Sequence, residues 1–491
     1  MENSSPTEID FDAVKQRFLV GVLSLISRSF LIQIISQVSL LLLTIFLDPK
    51  TFGIFFLVSA FVNFFTYFSD IGLAAALIQK KEKLIEDDLK TTFFVQQILV
   101  VGLLLIIFLI SPLFSKWYNL DKPALFLLYS LGISFFLSSL KTIPSVLLER
   151  QLKFNLLIIP QILETLVFNI VSVILAWKGF GLATFTWAVI LRGVVGLVAM
   201  YFVSPWKPGI AFSKDCLKKL LKFGLPYQLN TVIAVVKDDL MTIFLGKIVG
   251  TAGLGYLGWA KKWAEQPLRF FMDNVSKVAF PALSRLQDDK EKLRVSVEKS
   301  LFFLCFLTFP ILVGFSVLAS DLVKIIPRYL KWQPALFALY LYCFNSAWAT
   351  VSTSMTNLLN AVGKIKTTFK LMVMWLVLTW VVMPVAAVKL GFNGVAIASG
   401  IISLSSIVAI FVAKKQVNFD LTSSVVRPLT ASFLMGIVIY LAKIPVNNLA
   451  VSVVVRILIG FFSYILFSYL LVGRLLFEDM AKIYHEIRKN H

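Results

Sequence analysis

Charge is scarce in this chain. Only 15% of its 491 residues are Asp, Glu, Lys or Arg, where a soluble domain carries roughly a quarter, and an ordinary soluble protein is thereby excluded. Histidine is scarcer still: His485 and His491 stand at the C-terminus and none precedes them, which argues against a histidine-based metal site or an interior histidine base. Three cysteines, Cys216, Cys305 and Cys343, are too few and too scattered for a disulfide framework or a zinc site. Cys305 and Cys343 lie in apolar runs and read as packing residues. No Gly-rich loop of the kind that cradles nucleotide phosphates is present, so an ATP-driven pump in a single chain is not expected. A signal peptide is not expected either, because the first apolar run is too long and lacks a small-residue cleavage pattern.

What is abundant is apolar sequence. Hydrophobic residues make up 58% of the chain, gathered in runs such as 40–47, 98–110 and 457–472. Merged into stretches of about twenty residues, such runs read as transmembrane helices. The alternating ten-residue strands of a membrane barrel are absent. We read an all-α polytopic membrane protein of about fourteen spans. The first six lie near 18–46, 51–78, 88–111, 124–148, 154–177 and 181–204. The rest lie near 219–246, 252–283, 297–320, 334–361, 366–389, 391–413, 427–445 and 451–476. No connection is long enough to fold outside the membrane; the longest, around 204–218, is Lys-rich and reads as a hinge.

The net charge of +20 does not point to nucleic acid, because the basic residues sit in the short segments between apolar runs. Alternate loops differ in Lys and Arg. One set holds Lys80, Lys81, Lys83 and Lys90, then Arg150 and Lys153, then Lys207, Lys214, Lys218, Lys219 and Lys222, and so on to Arg474, Lys482, Arg488 and Lys489. The opposite set is poorer, with Lys324, Arg328 and Lys331 its richest loop. The positive-inside bias makes the first set cytoplasmic. With an even span count, both termini are expected in the cytoplasm.

The first and seventh spans end alike, Leu43-Thr44-Ile45-Phe46-Leu47 against Met241-Thr242-Ile243-Phe244-Leu245. Gly53-Ile54-Phe55-Phe56-Leu57 and Gly253-Leu254-Gly255-Tyr256-Leu257 follow. Asp70 and Asp273 then precede Ala76-Leu77 and Ala282-Leu283. Six spans separate the copies, so they share one orientation, a parallel repeat with the substrate site expected at its interface. The expected organisation is an N-terminal lobe over 1–205, a C-terminal lobe over 206–415, and two further spans with a tail over 416–491.

Ionisable residues inside a bilayer are costly and usually face a cavity or a partner. The eighth span carries Lys261, Glu265, Arg269, Asp273 and Lys277, each four residues from the next and alternating in sign, a slowly drifting polar stripe. Pro267 is expected to bend this helix. Lys237, Asp238 and Asp239 on the seventh span fall at the depth of Lys261, Lys262 and Glu265, near the midplane at ~1.5 Å per residue. Arg28 and Asp70 match in depth on the first two spans, as do Glu164 and Arg192 on the fifth and sixth. Lys262 and Lys277, placed to snorkel, read as structural. The concentration of mixed charge on spans one, two, seven and eight, against nearly charge-free interiors in spans nine to fourteen, favours function for Lys237, Asp238, Arg269 and Asp273. Among the aromatics, Trp117, Tyr118, Trp177, Trp206 and Trp332 read as interface anchors; Trp259 and Trp263, beside the midplane charges, read as anchoring or packing residues, with stacking on sugar rings as the alternative.

Three stretches carry a family resemblance: the run Asp70 to Lys81 (DIGLAAALIQKK), the run Phe280 to Asp289 (FPALSRLQDD), and Leu221-Lys222-Phe223-Gly224-Leu225-Pro226 with Asp238-Asp239 after it. They resemble the polysaccharide exporters called Wzx or O-antigen flippases, especially the colanic acid exporter branch of the multidrug, oligosaccharidyl-lipid and polysaccharide exporter superfamily. The likeness runs through most of the chain and is strongest in spans one to eight. It implies two six-helix lobes around a central cavity, a bacterial inner-membrane location, and an undecaprenyl-pyrophosphate-linked oligosaccharide as the substrate flipped toward the periplasm, with membrane lipid and export-assembly proteins such as a polymerase as partners. Arg28, Lys237, Lys261 and Arg269 would supply cations for the pyrophosphate, and Asp70, Asp238, Asp273 and Glu265 would serve as cavity acids or sites for a coupling proton or sodium. No other cofactor is expected. The alternatives are an ion-coupled drug antiporter of the same superfamily, whose cavity would be more acidic and aromatic, and a polymerase or ligase, which would want a larger outer loop with catalytic residues.

Overall fold

The computed structural model describes residues 32–473 apart from 81, 83, 152, 443 and 445–447, and apart from the side chains of 226, 227, 229–231, 277 and 278. Among them the chain is built of helices, with no strand. The first half holds α1 (Ile32–Phe46), α2 (Pro49–Thr66), α3 (Leu73–Gln79), α4 (Glu86–Tyr118), α5 (Lys122–Ser139), α6 (Thr142–Arg150), α7 (Phe154–Trp177) and α8 (Ala183–Val203). After the Lys-rich connection come α9 (Lys214–Val235), α10 (Met241–Arg285), α11 (Lys290–Ile325), α12 (Leu336–Ala361), α13 (Ile365–Leu404), α14 (Ser406–Lys414), α15 (Arg427–Leu441) and α16 (Leu449–Val472). A polytopic chain has little choice: in hydrocarbon every backbone N–H and C=O needs an internal partner, which a helix supplies from its own residues.

Ten helical stretches among the described residues are long and apolar enough to cross a membrane. The distance from fourteen has physical causes. The first expected span begins before the described residues, leaving the shorter α1. The seventh and eighth hold the charges of α9 and α10. The eleventh and twelfth run together as one 50-residue stretch, Ile365–Lys414. At ~1.5 Å per residue that stretch is more than twice as long as a hydrocarbon core of ~30 Å, and it doubles back at Gly391, where φ is +63°. The Trp375 indole N–H reaches Ser405 Oγ, thirty residues later, at 3.1 Å. Gly250 breaks α10 in the same way with φ +70°. A Cβ at either glycine would meet nothing within 4 Å, so conformation and not space demands glycine there. Through Pro267 and Pro281, by contrast, α10 stays helical.

Where helices begin in loops, side chains satisfy their first N–H groups. Asp121 accepts from Ala124 N, Asp289 from Lys292 N and Asn448 from Ala450 N. Asp420 accepts from the backbone of Thr422 and Ser423, and those N–H groups hold its carboxyl below the usual range, so this cap stays charged at neutral pH.

The helices of the first half pack among themselves through α5, α7 and α8, while α12 joins α10, α11 and α13 in the second. α10 lies along α2, and α11, α15 and α16 form a group. Two close approaches of backbone mark the border between α2–α3 and α9–α10. At one end a Cβ on Gly53 would sit 1.6 Å from Thr251 O, and one on Gly255 would sit 1.9 Å from Pro49 O. At the other end Gly72, with φ +76°, lies so close to Gly224 that a Cβ on Gly72 would meet Gly224 O at 2.2 Å. The segments that matched in sequence, Gly53 to Leu57 and Gly253 to Leu257, therefore face each other directly.

Next to the first approach lies an aromatic core. Trp332 is fully buried and stacks on Trp259 with centroids 5.3 Å apart and planes 14° apart. Its N–H donates to Thr44 O at 2.7 Å, and that of Trp259 to the Tyr329 hydroxyl at 3.1 Å. Trp332 is thus a core residue and no interface anchor, and Trp259 offers no face to a sugar. Trp117 and Trp177, by contrast, are 55% and 69% exposed, as anchors need to be.

One ion pair was not foreseen in the interiors of the later spans. Arg456 on α16 meets Asp321 on α11 at 2.5 Å, both largely buried. Losing one partner of such a pair strands the other charge and costs on the order of 3 kcal/mol. Arg456→Leu is expected to lower the Tm of the purified protein by several degrees, and Asp321→Leu added to it to restore part of the loss. An unchanged Tm in Arg456→Leu would show that the pair does not hold α16 in place.

Candidate functional site

Charges from the turn that joins α9 to α10 and from the middle of α10 open onto one cavity of about 1020 Å³. Between α9 and α10 the helix widens into a π-helical turn, Val236–Leu240. Such turns are rare and cluster at functional sites, and here three consecutive charged residues, Lys237, Asp238 and Asp239, all line the cavity. Lys237 Nζ lies 2.7 Å from Asp238 Oδ1. On α10 the four-residue spacing stacks Lys261, Glu265 and Arg269. Arg269 Nη2 reaches Glu265 Oε2 at 3.0 Å and Lys261 Nζ lies 3.7 Å from Glu265 Oε1. One carboxylate thus serves two cations, and the guanidinium remains 64% exposed to the cavity.

Lys262 lines the same cavity with no carboxylate within ion-pair distance among the described residues. Its neighbours place it on the cavity wall as the least committed cation among the described residues there. The first half contributes a smaller charged group. Glu164 on α7 is bonded by Lys141, at the start of α6, and lies 3.6 Å from Arg192 Nε on α8. Gly196 makes room for that carboxylate, since a Cβ there would meet Glu164 Oε1 at 2.0 Å. Arg192 also lies over the Phe168 ring, 5.9 Å from its centroid. Glu164 and Arg192 both line the cavity. Lys141 was not singled out in the sequence, where it stands alone in the fourth expected span, and only the packing of α6 against α7 shows its partner.

The structure brings together Lys237, Asp238, Lys261, Glu265 and Arg269. It places two other candidates elsewhere. Asp70 sits in the break between α2 and α3 and accepts from Ala74 N at 3.1 Å, capping α3. Asp273, one turn beyond Arg269, is not among the cavity-lining residues. Arg28 lies outside the described residues, and so does the Lys277 side chain. Trp263 packs on Phe315 away from the cavity, whose aromatic lining comes from Phe55, Phe56, Phe135, Phe168, Tyr342 and Trp375 instead.

Such an arrangement can hold an anionic group by charge-assisted hydrogen bonds in a partly dehydrated space. Among the described residues every cation on the cavity wall except Lys262 has a carboxylate at hand, so an arriving anion would exchange partners with resident acids rather than meet bare charge. The cavity also lies at the border where the two matching segments of the chain meet, the place a repeat-built transporter reserves for its substrate.

Residues 42–335 match the family described as "Polysaccharide biosynthesis protein". The chain belongs to that family. The matched segment includes the whole charged group on α9 and α10 as well as both glycine contacts. An uncharacterised membrane protein from the cps region of Klebsiella pneumoniae is 24% identical over 464 residues, 92% of this chain and 94% of that one. The lipopolysaccharide biosynthesis protein WzxC of Escherichia coli K12 is 26% identical over 337 residues, 66% of each chain. Among solved structures, lipid II flippase MurJ in an inward closed conformation superposes with a TM-score of 0.76 at 18% identity, covering 93% of this chain and 99% of that one. The fold of this family member is thus the MurJ fold, and the protein is a multi-pass membrane protein.

Proposed function

We infer that this protein flips lipid-linked oligosaccharides across the bacterial inner membrane for surface polysaccharide assembly, with undecaprenyl pyrophosphate as the lipid carrier. The observation that carries the reading is the cation-rich cavity of about 1020 Å³ inside a membrane protein of the polysaccharide biosynthesis family. Related proteins bear names from lipopolysaccharide and succinoglycan biosynthesis, which supports the same reading. The pyrophosphate is the group that needs cations, and Lys237, Lys261, Lys262 and Arg269 all line the cavity. Arg28 belongs to the same proposal from the first span. The polyprenyl tail stays in lipid while the headgroup crosses.

The two lobes, 1–205 and 206–415, would rock about the cavity, with 416–491 as an added pair of helices and a tail. The Lys/Arg-rich loops and both termini would face the cytoplasm. Asp238 and Glu265, already within reach of the cations, are the acids placed to take up a coupling proton or sodium when the headgroup displaces them; Asp70 and Asp273 are further from that exchange. The chemistry is transport and not catalysis, with the polymerase acting on the delivered product. A drug antiporter is disfavoured by the number of cations on the cavity wall.

Deleting the gene while leaving the downstream polymerase intact tests the reading. Undecaprenyl-linked repeat units are expected to accumulate in a form that a periplasmic ligase or added glycosidase cannot reach. Normal export together with altered tolerance to cationic drugs would overturn it in favour of the antiporter.

A further inference from the structure

The cavity is chemically two-sided. All its charged lining residues come from α7 to α10; those from α12, α13 and α14 are uncharged. On that second side stand hydroxyl groups in an unusual condition. A Ser or Thr inside an apolar helix normally returns its hydroxyl to a carbonyl one turn back. Several neighbours do this: Thr350 to Ser346 O, Ser354 to Thr350 O and Ser403 to Gly400 O. Ser352, Thr353, Thr379, Ser399 and Ser406 do not; none of their hydroxyls makes a hydrogen bond within the protein, and all five residues line the cavity. Four of them, Ser352, Thr379, Ser399 and Ser406, are between 4% and 7% exposed. None of these oxygens is sealed from the cavity, so each is open to water there and to a ligand that replaces the water. Trp375, one helical turn from Thr379, is fixed by the bond from its N–H to Ser405 Oγ at 3.1 Å and adds a flat apolar surface among them.

We propose that the α12–α14 wall is the glycan subsite, holding uncharged sugar units by hydroxyl-to-hydroxyl hydrogen bonds beside Trp375, while α9 and α10 hold the pyrophosphate. A polyhydroxylated ring offers both donors and acceptors to hydroxyls that have no partner within the protein, and an aromatic face suits the ring's C–H side. No cation stands on this wall, so it favours neutral hexoses and N-acetylhexosamines over acidic sugars. It also gives the headgroup a direction in the cavity, pyrophosphate against α10 and sugar against α12–α14. The inference rests on the reading that a lipid-linked glycan enters this cavity, and it adds where selection among glycans takes place.

The test uses the full-length protein in nanodiscs and three lipids: undecaprenyl pyrophosphate, the same lipid carrying one N-acetylhexosamine, and the same lipid carrying one neutral hexose. Wild-type protein is expected to bind at least one sugar-bearing lipid more tightly than the bare pyrophosphate. A Ser352→Ala, Thr379→Val, Ser399→Ala variant is expected to lose that gain, at about tenfold or more for three hydrogen bonds, while binding undecaprenyl pyrophosphate as wild type does. Since these hydroxyls bond nothing in the protein, the variant folds, and its retained affinity for the bare lipid reports that. If no sugar adds affinity in wild type, or if the triple variant keeps the gain, the subsite is wrong and the flippase reading stands. If wild type binds none of the three lipids, the flippase reading itself falls, and the subsite with it.

Discussion

Replacing Lys261 and Arg269 together by alanine is expected to abolish export of the lipid-linked glycan in a deletion host while the protein inserts at wild-type levels. Each charge-assisted contact to a phosphate is worth about 1.5–3 kcal/mol, so losing two weakens headgroup binding by a factor of roughly a hundred to ten thousand or more. The loss is larger than a count of cations suggests. Glu265 is held between these two side chains, and without them it faces the cavity unpaired, next to Asp238 and Asp239 on the opposite helix. Lys237 remains tied to Asp238, which leaves Lys262 as the one cation among the described cavity-lining residues with no acid beside it. An anion would then meet a cavity of reversed sign. Adding Glu265→Gln to the double variant removes that repulsion and is expected to recover part of the binding but little of the export. Export at wild-type rate from the double variant, with normal insertion, would remove these residues from the site and leave the family assignment untouched.

The identity of this site was legible in the sequence for a specific physical reason. Ionisable residues are so costly in an apolar helix that Lys237, Asp238, Lys261, Glu265 and Arg269 stand out against their surroundings, and the four-residue spacing on α10 shows that three of them share a face. The partners were not legible. Asp70 has the same local signal as Asp238, an acid in an apolar run, yet it caps a short helix because the chain breaks at Gly72, and no periodicity announces that break. Lys262 differs from Lys261 by one position and about 100° of rotation, which does not tell wall from lipid without the neighbouring helices. The exception is Glu164 with Arg192, matched in depth from the sequence and found 3.6 Å apart; Lys141, from the turn before α6, joins them only through packing.

The fold shows the same division. Long apolar runs marked the helices well, and the reversals at Gly250 and Gly391 were placed by loop charge and glycine. The break of the second expected span into α2 and α3, at Ser69-Asp70-Ile71-Gly72, and of the fourth into α5 and α6, at Leu140-Lys141, went unread, since a single charge flanked by long apolar runs reads as an intramembrane charge and not as a turn. The hydroxyl wall was overlooked for the opposite reason. Ser and Thr are ordinary in membrane helices, and nothing in the letters distinguishes Thr350, which bonds its own helix, from Ser352, which bonds nothing. Likewise Trp259 and Trp332 carry the composition of sugar-stacking or interface residues, and only their mutual stacking shows that they hold the core.

Substituting alanine at the two glycine contacts is expected to shift access to the cavity in opposite directions. At Gly255 a Cβ would lie 1.9 Å from Pro49 O and 2.7 Å from Pro49 C. Both are backbone atoms, which cannot rotate aside, so α2 and α10 must separate at that end. At Gly224 the obstacle is Gly72 O at 2.7 Å, with Ile71 O at 2.8 Å, again backbone, at the opposite end of α2–α3. Overpacking of this kind costs about 1–3 kcal/mol in the state that contains the contact and nothing in a state where the contact is open. A penalty of about 2 kcal/mol moves a two-state balance roughly thirtyfold. The reporter is a single cysteine at Ser59, which lines the cavity, in a background with Cys216, Cys305 and Cys343 replaced. With impermeant maleimide applied from one side at a time, Gly255→Ala is expected to speed labelling at least tenfold from the side where Gly53 and Thr251 meet. Gly224→Ala is expected to speed it from the other. Equal labelling of both variants from both sides would mean that α2 and α10 part elsewhere, and that the glycines serve only to let the helices pack.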